Sequence, residues 1–125
     1  MSIAYERDDR RQLITVVVTE PYSLEDFLNV INRQSSEDTW AYAILYDLRG
    51  LTVAANEEDL LQMAARVGDV GASRERGPVG IVIRPRPALF LAGLMYTKLT
   101  RELMTVEVLL TQAQVDAWLA RNARN

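Results

Sequence analysis

Histidine and cysteine are both missing from this sequence of 125 residues. Without cysteine there is no disulfide bond, no thiolate nucleophile and no iron–sulfur ligation, and without histidine the usual zinc sites lose their best remaining ligand. Histidine is also the commonest general base near neutral pH. We therefore expect a protein without enzymatic activity, metal site or cofactor.

The sequence also has no excess of positive charge and no apolar run of membrane-spanning length. The net charge is −3 and the isoelectric point about 5.0, so the chain as a whole would repel a phosphate backbone, and we expect no nucleic-acid partner. No apolar segment approaches the ~20 residues that a membrane span needs. The first residues, MSIAYERDDRR, lack the apolar stretch of a secretory signal, which makes a cytoplasmic location the expectation. The length fits one domain covering residues 1–125.

The sequence does contain an unbroken apolar run, residues 41–46, which ends in Asp47. Apolar residues on both faces of a strand indicate that both faces are covered, as in a central strand of a parallel sheet. Leu48-Arg49-Gly50 then predicts a tight turn where this strand leaves the sheet.

Period-two and helical spacings predict the other elements. Strands are expected at residues 3–6, 13–19, 79–83 and 105–110, and helices at 24–34, 57–68, 88–103 and from 112 onward. Residues 68–80 hold four glycines, a proline and mixed charges, which predicts a long flexible loop. The order predicts an α/β fold with a mainly parallel sheet of four to five strands, whose first strand is antiparallel in a hairpin. Because crossovers are right-handed, most helices should lie on one face, and the other face then needs a cover.

This arrangement resembles the STAS domain of anti-sigma-factor antagonists and their STAS-like relatives. The residues that carry the resemblance are 44–53, in which a strand ends in an Asp-Leu turn before a helix, and the last strand with the helix that contains Trp118-Leu119. It spans nearly the whole chain. The resemblance implies a right-handed βα superhelix, shared with the lipid-binding CRAL-TRIO domains, and a role in protein–protein regulation.

The sequence departs from the signalling members of that family at one motif. In those proteins the second helix opens with Asp-Ser-Ser-Gly, whose serine is phosphorylated to break binding to a partner kinase. Here the corresponding residues are Ala55-Asn56-Glu57-Glu58, so no hydroxyl is available. The phosphorylation switch is therefore not expected, and whether Glu57 imitates a phosphorylated residue stays open.

Ligands of open parallel sheets bind beyond the carboxyl ends of the strands. That rule selects a set of candidate ligand-binding residues at the predicted strand exits: Tyr22, Asp47, Arg49, Arg84 and Arg86. The arginines could recognise a carboxylate or phosphate, or they could be solvated turn residues or pair with Asp47. For Asp47 itself we favour a turn cap, accepting from the backbone N–H of Arg49 or Gly50, over a general acid or base.

The predicted helix at 88–103 begins with eight apolar residues, so we expect cover on two of its sides. Either a second copy of the chain covers it or a greasy ligand lies beside the sheet. Symmetric dimers are common, and a glycine would let two helices approach closely, so we favour a homodimer with Phe90, Gly93, Leu94 and Tyr96 at its interface. The sequence thus indicates a non-catalytic STAS-like interaction or regulatory module; the alternative is a binder of a small anionic or amphipathic, lipid-like ligand.

Overall fold

A five-stranded mixed sheet runs through the computed structural model, which describes residues 2–125. The strands lie side by side in sequence order: β1 (Ile3–Asp8), β2 (Leu13–Thr19), β3 (Ala43–Gly50), β4 (Val79–Val82) and β5 (Val106–Leu109). β1 pairs antiparallel with β2, and every other pair is parallel. The predicted fold class is confirmed.

Four helices complete the fold: α1 (Leu24–Ser36), α2 (Glu57–Gly71), α3 (Pro87–Thr100) and α4 (Gln112–Asn122). Two predicted helix ends were wrong. α2 continues past Gly68, because one glycine costs a helix only about 1 kcal/mol. α3 stops at Thr100, whose hydroxyl donates to the Tyr96 carbonyl at 2.8 Å.

Side-chain caps start three of the helices. The Ser23 hydroxyl accepts from the backbone N–H of Asp26, whose carboxylate accepts from the N–H of Ser23 in return. Asn56 starts α2 and Thr111 starts α4 in the same way, each accepting from the N–H three residues on. α3 differs, because its N-cap residue Arg86 makes no side-chain cap and Pro87 has no N–H to satisfy.

β3 contributes to a separate apolar core on each face of the sheet. Ile44 and Tyr46 pack with α1, α2 and α3, whereas Ala43 and Leu45 pack with α4. The predicted central strand with two covered faces is therefore confirmed. α4 supplies the cover on the second face, where Trp118 is 1% exposed.

The glycine-rich loop is only partly what we expected. Its first residues continue α2, and Arg76 and Gly77 are buried, so the prediction of a long flexible loop was wrong for this part. A Cβ atom on Gly77 would collide with the backbone carbonyls of Ala41 and Tyr42, so the chain runs closely past the start of β3. Within residues 2–125, no helix combines the length and the apolar character needed to cross a bilayer.

Candidate functional site

Asp47 and Arg49 form an ion pair at the carboxyl edge of the sheet. The Asp47 carboxylate accepts from the backbone N–H of Arg49 at 3.1 Å and from its guanidinium at 3.0 and 2.8 Å. The guanidinium holds the pKa of Asp47 below its usual range, and the carboxylate raises the pKa of Arg49. The predicted hydrogen bond from the Arg49 N–H to Asp47 is confirmed, but the predicted tight turn at residues 48–50 was wrong, because β3 continues through Gly50. The lowered pKa of Asp47 is the opposite of what a general acid near neutral pH needs.

Other residues at this edge of the sheet also form hydrogen bonds within the chain. Arg84 Nε donates to the Arg49 carbonyl at 2.6 Å, and Arg49 Nη1 donates to Gln112 Oε1 at 2.8 Å. Glu20 accepts from both the N–H and the hydroxyl of Thr52, and the hydroxyl bond chiefly lowers the pKa of that carboxyl. The structure thus brings Asp47, Arg49 and Arg84 together.

The two remaining candidate residues, Arg86 and Tyr22, lie apart from this hydrogen-bonded group. Arg86 is exposed at the start of α3. The ring of Tyr22 packs edge-on against Phe27, with 5.5 Å between ring centroids, and its hydroxyl donates to the Val53 carbonyl at 3.5 Å. Tyr22 therefore belongs to the wall of a cavity.

This cavity lies between the sheet and the three helices α1, α2 and α3, and its volume is about 80 Å³. The residues that line it are almost all apolar, and small side chains on α3 and in the segment before α2 leave the space: Ala54, Ala55, Ala92 and Gly93. The only hydroxyls among the lining residues belong to tyrosines 22, 46 and 96. Such a space suits the apolar part of a small molecule.

Two buried tyrosines are among the residues that line the cavity. Tyr46 is 8% exposed and Tyr96 is 9% exposed, and burial raises the pKa of both, so both stay protonated at neutral pH. Among the side-chain hydrogen bonds of residues 2–125, none involves either hydroxyl.

Arg76 is a buried arginine that is not among the residues lining the cavity. Arg76 Nη1 donates to Gln34 Oε1 at 2.6 Å, and the guanidinium lies 4.2 Å from the ring centroid of Trp40. None of the ion pairs formed within residues 2–125 includes Arg76, and its Nε has no hydrogen-bond partner there. Burial lowers its pKa, while its charge lowers the pKa of both Tyr46 and Tyr96 against the effect of burial.

Sequence reasoning missed Arg76. One arginine in a glycine-rich segment of mixed charge looks like any solvated side chain, so no local pattern distinguishes it. Its burial follows from the close passage of Gly77 across the start of β3, which depends on tertiary structure.

The residues predicted for a dimer interface separate onto two sides of α3. Gly93 and Tyr96 are buried toward the sheet, and a Cβ on Gly93 would lie 3.0 Å from Val108 Cγ2, so neither can meet another chain as we expected. Phe90 is half-buried and Leu94 is exposed. The side of α3 that turns away from the sheet carries exposed apolar residues, and exposed Leu103 follows just after the end of the helix. We call this set the outer α3 face: Leu91, Leu94, Met95, Leu99 and Leu103.

The fold and these features define an α/β protein with a mixed five-stranded sheet, an apolar cavity under its helices and an exposed apolar helix face. Residues 2–125 contain no cluster of three or more acidic, histidine or cysteine side chains arranged to hold a metal ion.

A scan against protein-family models and a search of curated proteins both found no match for this chain.

Proposed function

We propose that this chain is a non-catalytic, STAS-like protein-interaction module that forms a homodimer through the outer α3 face. The observation that carries the proposal is the stripe of Leu91, Leu94 and Met95, spaced i, i+3, i+4 and exposed by 64%, 44% and 38%. Contiguous exposed apolar surface of this kind is typical of protein–protein contacts. Its place on one helix makes it a single, well-defined surface.

A second copy of the chain suits this surface because the surface is complementary to itself. The groove beside the outer α3 face has a volume of about 550 Å³ and is lined by apolar side chains and by both signs of charge, with Lys98 and Arg101 beside Glu57 and Glu102. In a two-fold dimer the same surface meets itself, so cations of one copy can face carboxylates of the other while the leucines pack between them.

The STAS-like part of the proposal is supported by the order of the elements and by the place of Asp47 in the second half of β3, the strand that precedes α2. A regulatory role would operate without phosphorylation at the start of α2, since Asn56 caps that helix and Glu57 follows it. Regulation would then depend on which surface is covered, by a second copy or by another protein.

Light scattering on the purified protein tests the proposal. We expect a mass of about twice 14.1 kDa for the wild type and a monomer for Leu94→Glu, which places a charge in the apolar stripe. Ala117→Glu is the matched control, because this exposed residue lies on α4 across the sheet, and it should remain dimeric. A monomeric wild type, or a dimeric Leu94→Glu protein with unchanged circular dichroism, would exclude this interface.

The apolar cavity favours a second candidate function, the binding of a small amphipathic molecule. The chain would hold the apolar part of the molecule between the sheet and α3. A ligand at 100 times its dissociation constant stabilises the folded state by ~2.7 kcal/mol, so a screen of small amphipathic acids by thermal denaturation should reveal a rise in melting temperature. Ala92→Leu, which fills the cavity, should abolish the rise; Ala65→Leu, on the exposed side of α2, should leave it unchanged.

A further inference from the structure

We propose that a halide ion, chloride in physiological salt, binds inside the chain beside Arg76 and Trp40, where it accepts hydrogen bonds from Arg76 Nε and from the indole Nε1 of Trp40. Neither residue lines the apolar cavity or the groove beside the outer α3 face. The inference is therefore independent of both candidate functions.

Two buried N–H groups call for an acceptor that the chain itself does not supply. Within residues 2–125, Arg76 Nε and Trp40 Nε1 are the buried side-chain polar atoms without a hydrogen-bond partner. Arg76 is 9% exposed and Trp40 is 2% exposed, so bulk solvent does not replace the missing partner. A buried donor without a partner destabilises the folded state, and a charged donor does so more strongly.

The two donors belong to side chains that contact each other. The guanidinium carbon of Arg76 lies 4.2 Å from the centroid of the Trp40 ring. Arg76 Nη1 also donates to the Trp40 carbonyl at 3.4 Å, and the backbone N–H of Gly77 donates to the same carbonyl at 3.0 Å. These contacts hold the guanidinium beside the indole, so that one ion at their common edge can accept from both.

The charge of the surroundings favours an anion over a water molecule. Arg76 and Arg74 lie 4.2 and 5.6 Å from the Trp40 ring, and neither takes part in an ion pair within residues 2–125. Arg76 donates instead to the neutral amide of Gln34, and Arg74 donates to the hydroxyl of Ser35. A water molecule would accept both hydrogen bonds but leave the buried cation uncompensated, whereas an anion supplies the acceptor and the charge together.

The close packing around the donors favours an anion of a single atom. The edge of the indole that carries Nε1 lies against Gly71, where a Cβ atom would come within 2.6 Å of Nε1. On the other side, Gly77 passes so closely over the start of β3 that it has no room for a Cβ. A carboxylate has two oxygens that both need donors, and a halide has only one acceptor atom to satisfy.

Thermal denaturation at constant ionic strength tests the inference, with chloride replacing gluconate, an anion too large to enter. Above the dissociation constant, each tenfold increase in chloride should raise the melting temperature of the wild type by about 5 °C, because the ion binds only the folded chain. Bromide should act in the same way.

Two variants remove one feature of the site each. Trp40→Phe keeps an aromatic ring without the N–H, and Arg76→Met removes the charge; each should shift the onset of the chloride effect to roughly tenfold higher concentration or abolish it. Trp118→Phe is the matched control, because Trp118 is similarly buried but belongs to the core on the other face of the sheet, and it should keep the wild-type dependence.

Anomalous diffraction from wild-type crystals grown in sodium bromide locates the ion without relying on the folding of a variant. We expect a bromide peak within hydrogen-bonding distance of both Arg76 Nε and Trp40 Nε1. A water molecule at that position in the presence of bromide, or no bromide there, would overturn the inference. A melting temperature that does not depend on chloride would do the same, as would a dependence that Trp40→Phe and Arg76→Met both retain unchanged, since the ion would then bind elsewhere.

Discussion

At the scale of single residues, the ion pair at the end of β3 makes stability depend on pH. Because Arg49 lowers the pKa of Asp47 in the folded state, the carboxylate stabilises the protein above its usual pKa of 3.8, and this contribution is lost as the pH falls through the lower folded value. The contribution is modest, since the Arg49 side chain is 43% exposed.

Asp47→Asn should therefore lower the free energy of unfolding by about 0.5–1 kcal/mol at pH 7, because the charge-assisted bonds to Arg49 are lost. The difference from the wild type should shrink as the pH is lowered below 3.8, where the wild-type carboxylate is protonated too. Urea denaturation at several pH values measures both effects. Asp69→Asn, an exposed change on α2, serves as the control, and a difference that grows toward low pH would contradict the assignment.

A pair of glycines gives opposite expectations for the same substitution. Gly80→Ala should destabilise by about 1–3 kcal/mol, because its Cβ would lie 2.8 Å from the buried ring of Trp118. Gly68→Ala should stabilise by about 0.5–1 kcal/mol, because it removes a glycine from a helix and its Cβ meets only Leu103 Cδ1 at 3.7 Å. Equilibrium denaturation measures the free energy of unfolding of the two variants. Equal changes in this free energy would contradict the close contact between Gly80 and Trp118 of α4.

At the scale of elements, the sequence predicted the strands and three of the helices well because their apolar residues follow one period. α3 is the exception in its orientation. A helix that is apolar all round has no preferred face, so the sequence could not say that Gly93 and Tyr96 turn inward while Leu91 and Leu94 turn outward. The predicted interface was divided between the two sides for this reason. The cavity was equally invisible, since it is the space left where Ala92 and its neighbours meet the sheet.

The start of α1 should be sensitive to its cap. Ser23→Ala removes the side-chain oxygen that accepts from the Asp26 N–H and should cost about 1 kcal/mol of unfolding free energy. Ser73→Ala, in the exposed segment after α2, should change it by less than ~0.5 kcal/mol. Thermal denaturation of both proteins provides the comparison, and a Ser23→Ala protein as stable as the control would mean that α1 starts elsewhere.

At the scale of the whole molecule, homodimerisation would link stability to concentration. A dimer that dissociates on unfolding gains stability by mass action, so the melting temperature of the wild type should rise with protein concentration. Leu94→Glu should remove that dependence, and Ala117→Glu should keep it. Calorimetry over a hundredfold concentration range tests this, and a melting temperature that stays constant for the wild type would exclude the dimer.

Strand β3 also couples the unfolding of the two layers of the molecule. Successive side chains of this strand, Ile44 and Leu45, pack into the cores on opposite faces of the sheet. Loss of either helix layer would therefore expose to water the strand that supports the other layer. The two halves are thus obliged to melt as a single cooperative unit, and calorimetric and van't Hoff enthalpies should coincide.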